Sequence, residues 1–170
     1  MSALKEQIQP RGHWKVTIRD PAGNVVDVRY WDNLVTDEGL DHLLEATLAG
    51  GTQKTSWFLG ITDGTPTVAG GDTLGSAPGW DEVEAYDEGS RPTWSPGSVS
   101  NQSVSNGGSP ASFTINQDGT TIGGAFLASD NTKGGASGIL YAVGAFDSGD
   151  VTLSAGSTLE VTAEFTTERP

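Results

Sequence analysis

Thr158-Leu159-Glu160-Val161-Thr162-Ala163-Glu164-Phe165-Thr166 is the stretch whose reading decides the fold. Leu159, Val161, Ala163 and Phe165 fall on one face of an extended chain, and Glu160, Thr162, Glu164 and Thr166 on the other. Period-two alternation of this kind marks a strand with one buried and one wet face. The same pattern recurs upstream. In His13–Arg19, Trp14, Val16 and Ile18 share a face; Asp20-Pro21-Ala22-Gly23-Asn24 is a turn cluster, and Val25–Trp31 reads as the return strand of a hairpin. Further strands are expected over 56–62, 113–116, 121–128, 139–146 and 151–153, with a weak one within 95–110. No repeat of fixed period is found.

One helix is expected over roughly Asp37–Ala49. Thr36 is placed to cap it, Asp37 and Glu38 suit the positive end of its dipole, and Gly50-Gly51 ends it. Leu40, Leu43, Leu44 and Leu48 recur at helical spacing, and this stripe is expected to cover an open end or edge of the sheets. The fold expected is therefore all-β: an antiparallel β-sandwich, jelly-roll or Greek-key-like, with one short helix near 37–49. Residues 1–12 read as an N-terminal arm and 13–170 as a single sandwich domain. Residues 63–79 have no periodicity and are long for a connection, which makes them a candidate contact loop.

Composition narrows the function. The chain has 170 residues, enough for one domain with a core, and its 24 glycines and 8 prolines fit many short strands joined by tight turns. Its formal net charge is −13, which repels nucleic acid and anionic lipid, so neither a nucleic acid nor a membrane is an expected partner. There is no cysteine, which removes disulfides, thiolate nucleophiles and Cys-ligated metal. The first ten residues lack the apolar stretch of a signal peptide, and no apolar run reaches a membrane-spanning length, so a soluble product made inside the cell is expected.

Chemical candidates are few. Asp72, Asp81, Glu82, Glu84, Asp87 and Glu88 form an acidic stretch that could serve calcium or a carboxylate-pair glycosidase, with Asp81 and Glu84 the residues to test. The spacing matches no EF-hand loop, and a solvated acidic face is the commoner fate of such runs. His13 and His42 have no nearby third ligand. No Gly-x-Ser-x-Gly elbow occurs, and Gly123-Gly124 and Gly134-Gly135 fit neither the Walker nor the dinucleotide pattern; Gly124 reads as a close-packed or bulged strand position. Trp14, Trp31, Trp57, Trp80 and Trp94 read as core or interface anchors, with sugar stacking on an exposed Trp or Tyr platform as the alternative. No catalytic, cofactor or metal residue is therefore assigned, and an enzyme is not expected.

Several segments in this order also resemble a known group. They are Asn33-Leu34-Val35-Thr36-Asp37-Glu38-Gly39-Leu40, Trp57-Phe58-Leu59-Gly60, Gly79-Trp80 through Tyr86 to Arg91-Pro92, Ile122-Gly123-Gly124-Ala125-Phe126-Leu127, Thr132-Lys133-Gly134-Gly135, Leu140-Tyr141 and the closing Leu159–Thr162 strand. Over residues 14–166 the chain resembles a family of small structural proteins of tailed bacteriophages. The resemblance implies virion membership and carries over no functional residue. It makes a head decoration (cement) protein on the major capsid protein the first expectation, made in the host cytoplasm and resident on the capsid surface. A tail or fibre-associated protein follows, and a carbohydrate-binding module is the other alternative. Self-association is expected, a trimer before a dimer. Residues 1–31 hold Lys5, Arg11, Lys15, Arg19 and Arg29 against only Glu6, Asp20 and Asp27, so this end is expected to face an acidic partner surface.

Overall fold

The computed structural model describes residues 9–77 and 79–168. The first hairpin pairs β1 (Gln9–Arg19) with β2 (Val25–Val35). Its turn is held by the Asp20 carboxylate, which accepts from the backbone N–H of Ala22 and Asn24 at 3.0 and 2.8 Å, while Gly23 supplies a φ of 88°. Helix α1 (Asp37–Thr47) follows directly. The remaining strands are β3 (Trp57–Asp63), β4 (Thr93–Trp94), β5 (Ser103–Ser105), β6 (Ala111–Thr114), β7 (Thr120–Ala128), β8 (Leu140–Ala145), β9 (Val151–Leu153) and β10 (Thr158–Glu168). The chain is all-β in class. Of the N-terminal arm expected over 1–12, residues 1–8 lie outside the described residues, and residues 9–12 are part of β1.

Hydrogen bonding links the strands in one antiparallel path, β4-β3-β7-β8-β2-β1-β10-β5, with β6 on β10 and β9 on β7. The sheet curls into a half-barrel. The first and last strands are neighbours along their whole length, from Gln9 opposite Glu168 to Arg19 opposite Thr158. The alternation of β10 is realised: Leu159, Val161, Ala163 and Phe165 are buried, against Trp14, Val16 and Ile18 of β1 and Leu59, Ile61, Ile122 and Leu127 from β3 and β7. Full burial of each such aliphatic or phenyl side chain contributes roughly 1.5–3 kcal/mol.

The two ends of the strand order, β4 and β5, are only two and three residues long, which limits the unpaired edge they offer. Side chains from both regions fasten onto β10 instead. Trp94 of β4 donates through Nε1 to the Ala163 carbonyl of β10 at 3.2 Å. Asn106, just past β5, lies fully buried and imitates a strand: its Oδ1 accepts from Ala163 N–H at 2.7 Å and its Nδ2 donates to the Val161 carbonyl at 3.1 Å.

The 63–79 stretch, read from the sequence as a candidate contact loop, is in part packed down on the sheet. Val68, Leu74 and Trp80 fold back over Phe126, Ala128, Leu140 and Val143 and make a second, smaller core on the outer side of β7 and β8. The Asp72 carboxylate fastens this fold-back, accepting from Ala69 N–H at 3.0 Å and Trp80 Nε1 at 3.1 Å. Covered on both faces, β7 is a continuous small and apolar run rather than an alternating one. The close approach expected at Gly124 is observed, since a Cβ there would stand 2.3 Å from the Gly144 carbonyl oxygen.

Helix α1 starts as expected. Thr36 Oγ1 accepts from Gly39 N–H at 3.1 Å, and Glu38 Oε2 accepts from Leu140 N–H at 3.0 Å. It ends at Thr47 rather than Ala49, with Leu48 as its cap. The face it buries differs from the expected leucine stripe. Gly39 lies so close to β8 that a Cβ would meet the Tyr141 carbonyl oxygen at 2.4 Å, and this contact turns Gly39 and His42 inward. Leu40, Leu44 and Leu48 point to solvent, Leu48 at 81% exposure. Among the described residues no helix is long and apolar enough to cross a membrane.

Candidate interaction surfaces

The acidic stretch divides into fasteners and free charges. Asp72 holds the fold-back described above. Glu82 forms a buried ion pair with Arg91, Nε to Oε1 at 2.9 Å and Nη2 to Oε2 at 2.7 Å, and also accepts from Gly134 N–H at 2.8 Å. Arg91 further donates to the carbonyls of Asp130 and Gly135 at 2.9 and 3.0 Å and lies over the Phe126 ring. Glu88 accepts from the N–H and hydroxyl of Thr114, each at 3.0 Å. Asp81, Glu84 and Asp87 are exposed. Lys133 donates through Nζ to the Glu84 and Tyr86 carbonyls at 3.2 and 2.7 Å and sits 3.9 Å from the centre of the Tyr86 ring.

A pocket of about 360 Å³ remains in this region, lined by Trp80, Asp81, Glu84, Arg91 and the Gly134-Gly135 backbone. Among the described residues no three His, Asp or Glu side chains converge as a metal would require. The two histidines lie apart. His13 is on the outer wall, its Nδ1 2.9 Å from Asp32 Oδ1. His42 is buried edge-on against Trp57 and accepts the Lys54 N–H at its Nε2. Trp14 and Trp31 are core residues; Trp57, Trp80 and Trp94 are half-buried.

The free surfaces lie elsewhere. The first is the outer wall of β2 and β1. Alternation turns Trp31 and Val35 inward, so Val26, Val28 and Tyr30 face out as an apolar column, with the exposed Asp32 between it and the outward Leu34. Beside it runs a basic column from β1, with Lys15 opposite Tyr30 and Arg11, His13 and Arg19 on the same face. His13 stacks near-parallel to Tyr30 at 6.1 Å. Arg19 pairs with Glu160 at 3.3 Å, while Arg11 and Lys15 have no ion-pair partner among the described residues. The edge of β2 is not open to strand addition: the Asp27 carboxylate takes the Val28 N–H at 2.8 Å, and Arg29 binds both Asp27 and the Gly149 carbonyl. What this wall offers is a face.

The second surface is the capped end of the half-barrel. Beneath α1, at the gap between β4 and β5, lies a groove of about 340 Å³ lined mainly by His42, Leu43, Trp57, Trp94, Tyr141 and Phe165. Burial holds the Tyr141 hydroxyl above its usual pKa. Leu43, Ala46 and Thr47 carry the groove wall onto the helix, beside the exposed Leu40, Leu44 and Leu48. On the helix's far flank stand Asp41 and Glu45, both exposed and neither ion-paired among the described residues.

Sequence reasoning identified the basic end and the leucine repeat. It missed the apolar column, because alternation in Val25–Trp31 gathers Val26, Val28 and Tyr30 on the more apolar face, and it is this face that the fold turns outward, while Asp27 and Arg29 share the inner face with Trp31. Searched against models of known protein families the chain matches none, and no curated protein matches its sequence.

Proposed function

We propose that this chain is a structural protein of a tailed-bacteriophage particle, a head decoration protein that binds the major capsid protein and stabilises the head. One observation carries the reading: a frame in which Asp72, Glu82 and Arg91, charges buried among the described residues, fasten loops exposes two apolar surfaces, one rimmed by cations and one by carboxylates. Such a frame suits a part made to be packed against other parts rather than to turn over a substrate. The fold is read here as sandwich-like and of Greek-key or jelly-roll type. Its β1–β10–β6 half faces its β3–β7–β8 half across a shared core, and the two are joined through Leu34 and Val35.

Attachment to the capsid is assigned to the N-terminal residues 1–12, whose Lys5 and Arg11 suit an acidic patch on the capsid protein. The exposed carboxylates of the 81–87 region then face solvent and keep decorated particles apart. Purified protein mixed with heads lacking it, and with intact tails, tests this. Saturable occupancy of heads is expected, lost on deletion of residues 1–8, which leaves β1 whole, with the melting temperature unchanged. Binding to tails alone moves the protein to the tail or fibre. Binding to neither, with binding on a glycan array, replaces the reading by a carbohydrate-binding module.

A further inference from the structure

The two exposed surfaces complement each other. The wall carries an apolar column, Val26, Val28 and Tyr30, beside Lys15, which has no ion-pair partner among the described residues. Helix α1 carries an apolar stripe, Leu40, Leu44 and Leu48, beside the carboxylates Asp41 and Glu45, neither ion-paired among the described residues. We propose that these are the two halves of one contact: α1 of one copy docks on the β2–β1 wall of the next.

A second copy is the occupant favoured by charge. Most of the chain is acidic, at −13 overall, and an acid-flanked apolar stripe calls for a basic-flanked apolar partner. The protein's own wall is such a surface. Pairing α1 with α1 across a two-fold that sets Asp41 and Glu45 against their copies brings like charges together. Pairing wall with wall sets Lys15 near Lys15. Only the crossed arrangement satisfies both apolar patches and both signs of charge. The edge of β2 is capped by Asp27 and Arg29, so the contact is made face-on through side chains rather than by adding a strand. A contact between two different patches is heterologous, and such contacts build a ring where the rotation between copies closes and a filament where it does not. That geometry accommodates the trimer expected of the chain.

The inference rests on reading the protein as an assembling structural part. Its test uses the purified chain alone, so its failure and the failure of the capsid assignment are distinguishable. The absence of cysteine makes site-specific cross-linking clean. Val28→Cys and Leu44→Cys, both at exposed positions, are mixed under mild oxidation, alongside each variant alone and Leu44→Cys with Ser154→Cys at the far end of the half-barrel. The expected result is several-fold more disulfide-linked dimer from the Val28→Cys and Leu44→Cys mixture than from any other combination, falling as salt is raised. Lys15→Glu on the Val28→Cys chain is expected to abolish the excess, and Glu45→Lys on the Leu44→Cys chain to restore it. Equal yield from Leu44→Cys alone would overturn the crossed contact in favour of helix pairing. No excess in the mixture, or an excess indifferent to Lys15→Glu, would overturn it outright.

Discussion

Arg91 and Glu82 meet fork to fork in the interior, at 2.9 and 2.7 Å, with side chains 1% and 8% exposed. The pair joins the acidic stretch to the 130–135 loop, because Arg91 also holds the Asp130 and Gly135 carbonyls. Asp130 is itself held below the usual carboxylate pKa, first by the Thr132 backbone N–H and then by its side chain. What reads as an acidic patch in the sequence is in part the anchor of a loop.

Removing one member of this pair leaves the other charged and buried. Arg91→Ala is expected to cost roughly 3–5 kcal/mol in urea unfolding. The double change Arg91→Met with Glu82→Leu is expected to cost less than either single truncation, since neither charge is then stranded. A loss below about 1 kcal/mol for Arg91→Ala would refute the assigned role.

Asn106 stands in for a strand where β5 and β6 leave β10 unpaired. Asn106→Leu leaves the Ala163 N–H and the Val161 carbonyl without their partner. At about 1–3 kcal/mol for each orphaned group, a loss of roughly 2–6 kcal/mol is expected. Hydrogen exchange is expected to quicken at Ala163 before it does elsewhere in β10. Unchanged protection at Ala163 would contradict the bridging role.

Gly123 passes so close to the 64–65 backbone that a Cβ would stand 2.1 Å from it, whereas a Cβ on Gly89 meets nothing within 4 Å. Gly123→Ala is therefore expected to destabilise by at least roughly 1–3 kcal/mol, and Gly89→Ala to change stability by less than about 0.5 kcal/mol. Equal effects would show that the backbone gives way at this crossing.

Tyr86 is buried, and its hydroxyl has no partner among the described residues. Burial, reinforced by the Glu82 charge, pushes its pKa far above the usual value. The neutral form is thus the one that folds. The associated stability is complete below the unfolded pKa near 10 and is lost as pH rises above it, because the unfolded chain releases the proton first. Tyr86→Phe is expected to leave stability at pH 7 unchanged or slightly raised, and to flatten its decline above pH 10. A loss of more than about 1 kcal/mol at pH 7 would reveal a partner for the hydroxyl.

Much of the fold was legible because its causes are local. The alternation at Leu159–Phe165, the Pro-Ala-Gly-Asn turn and the Thr36 cap each depend on residues within a few positions of one another, so spacing alone determined two strands, a hairpin and a helix start. The acidic stretch and the basic N-terminal end were legible as charge for the same reason. What only the tertiary structure decided depends on residues far apart in the chain. The approach of Gly39 to Tyr141 chose which side of α1 is buried and left its leucines in solvent. Register against β10, more than 130 residues away, turned Val26, Val28 and Tyr30 outward beside Lys15. Residues 63–79 have no periodicity because those that pack do so as a cover rather than as an element, and the Arg91–Glu82 pair is completed by the 130–135 loop, whose Asp130 and Gly135 carbonyls Arg91 also holds. Helical and strand periods state that a chain has two faces; which one meets water is settled by the partner that arrives from elsewhere in the sequence.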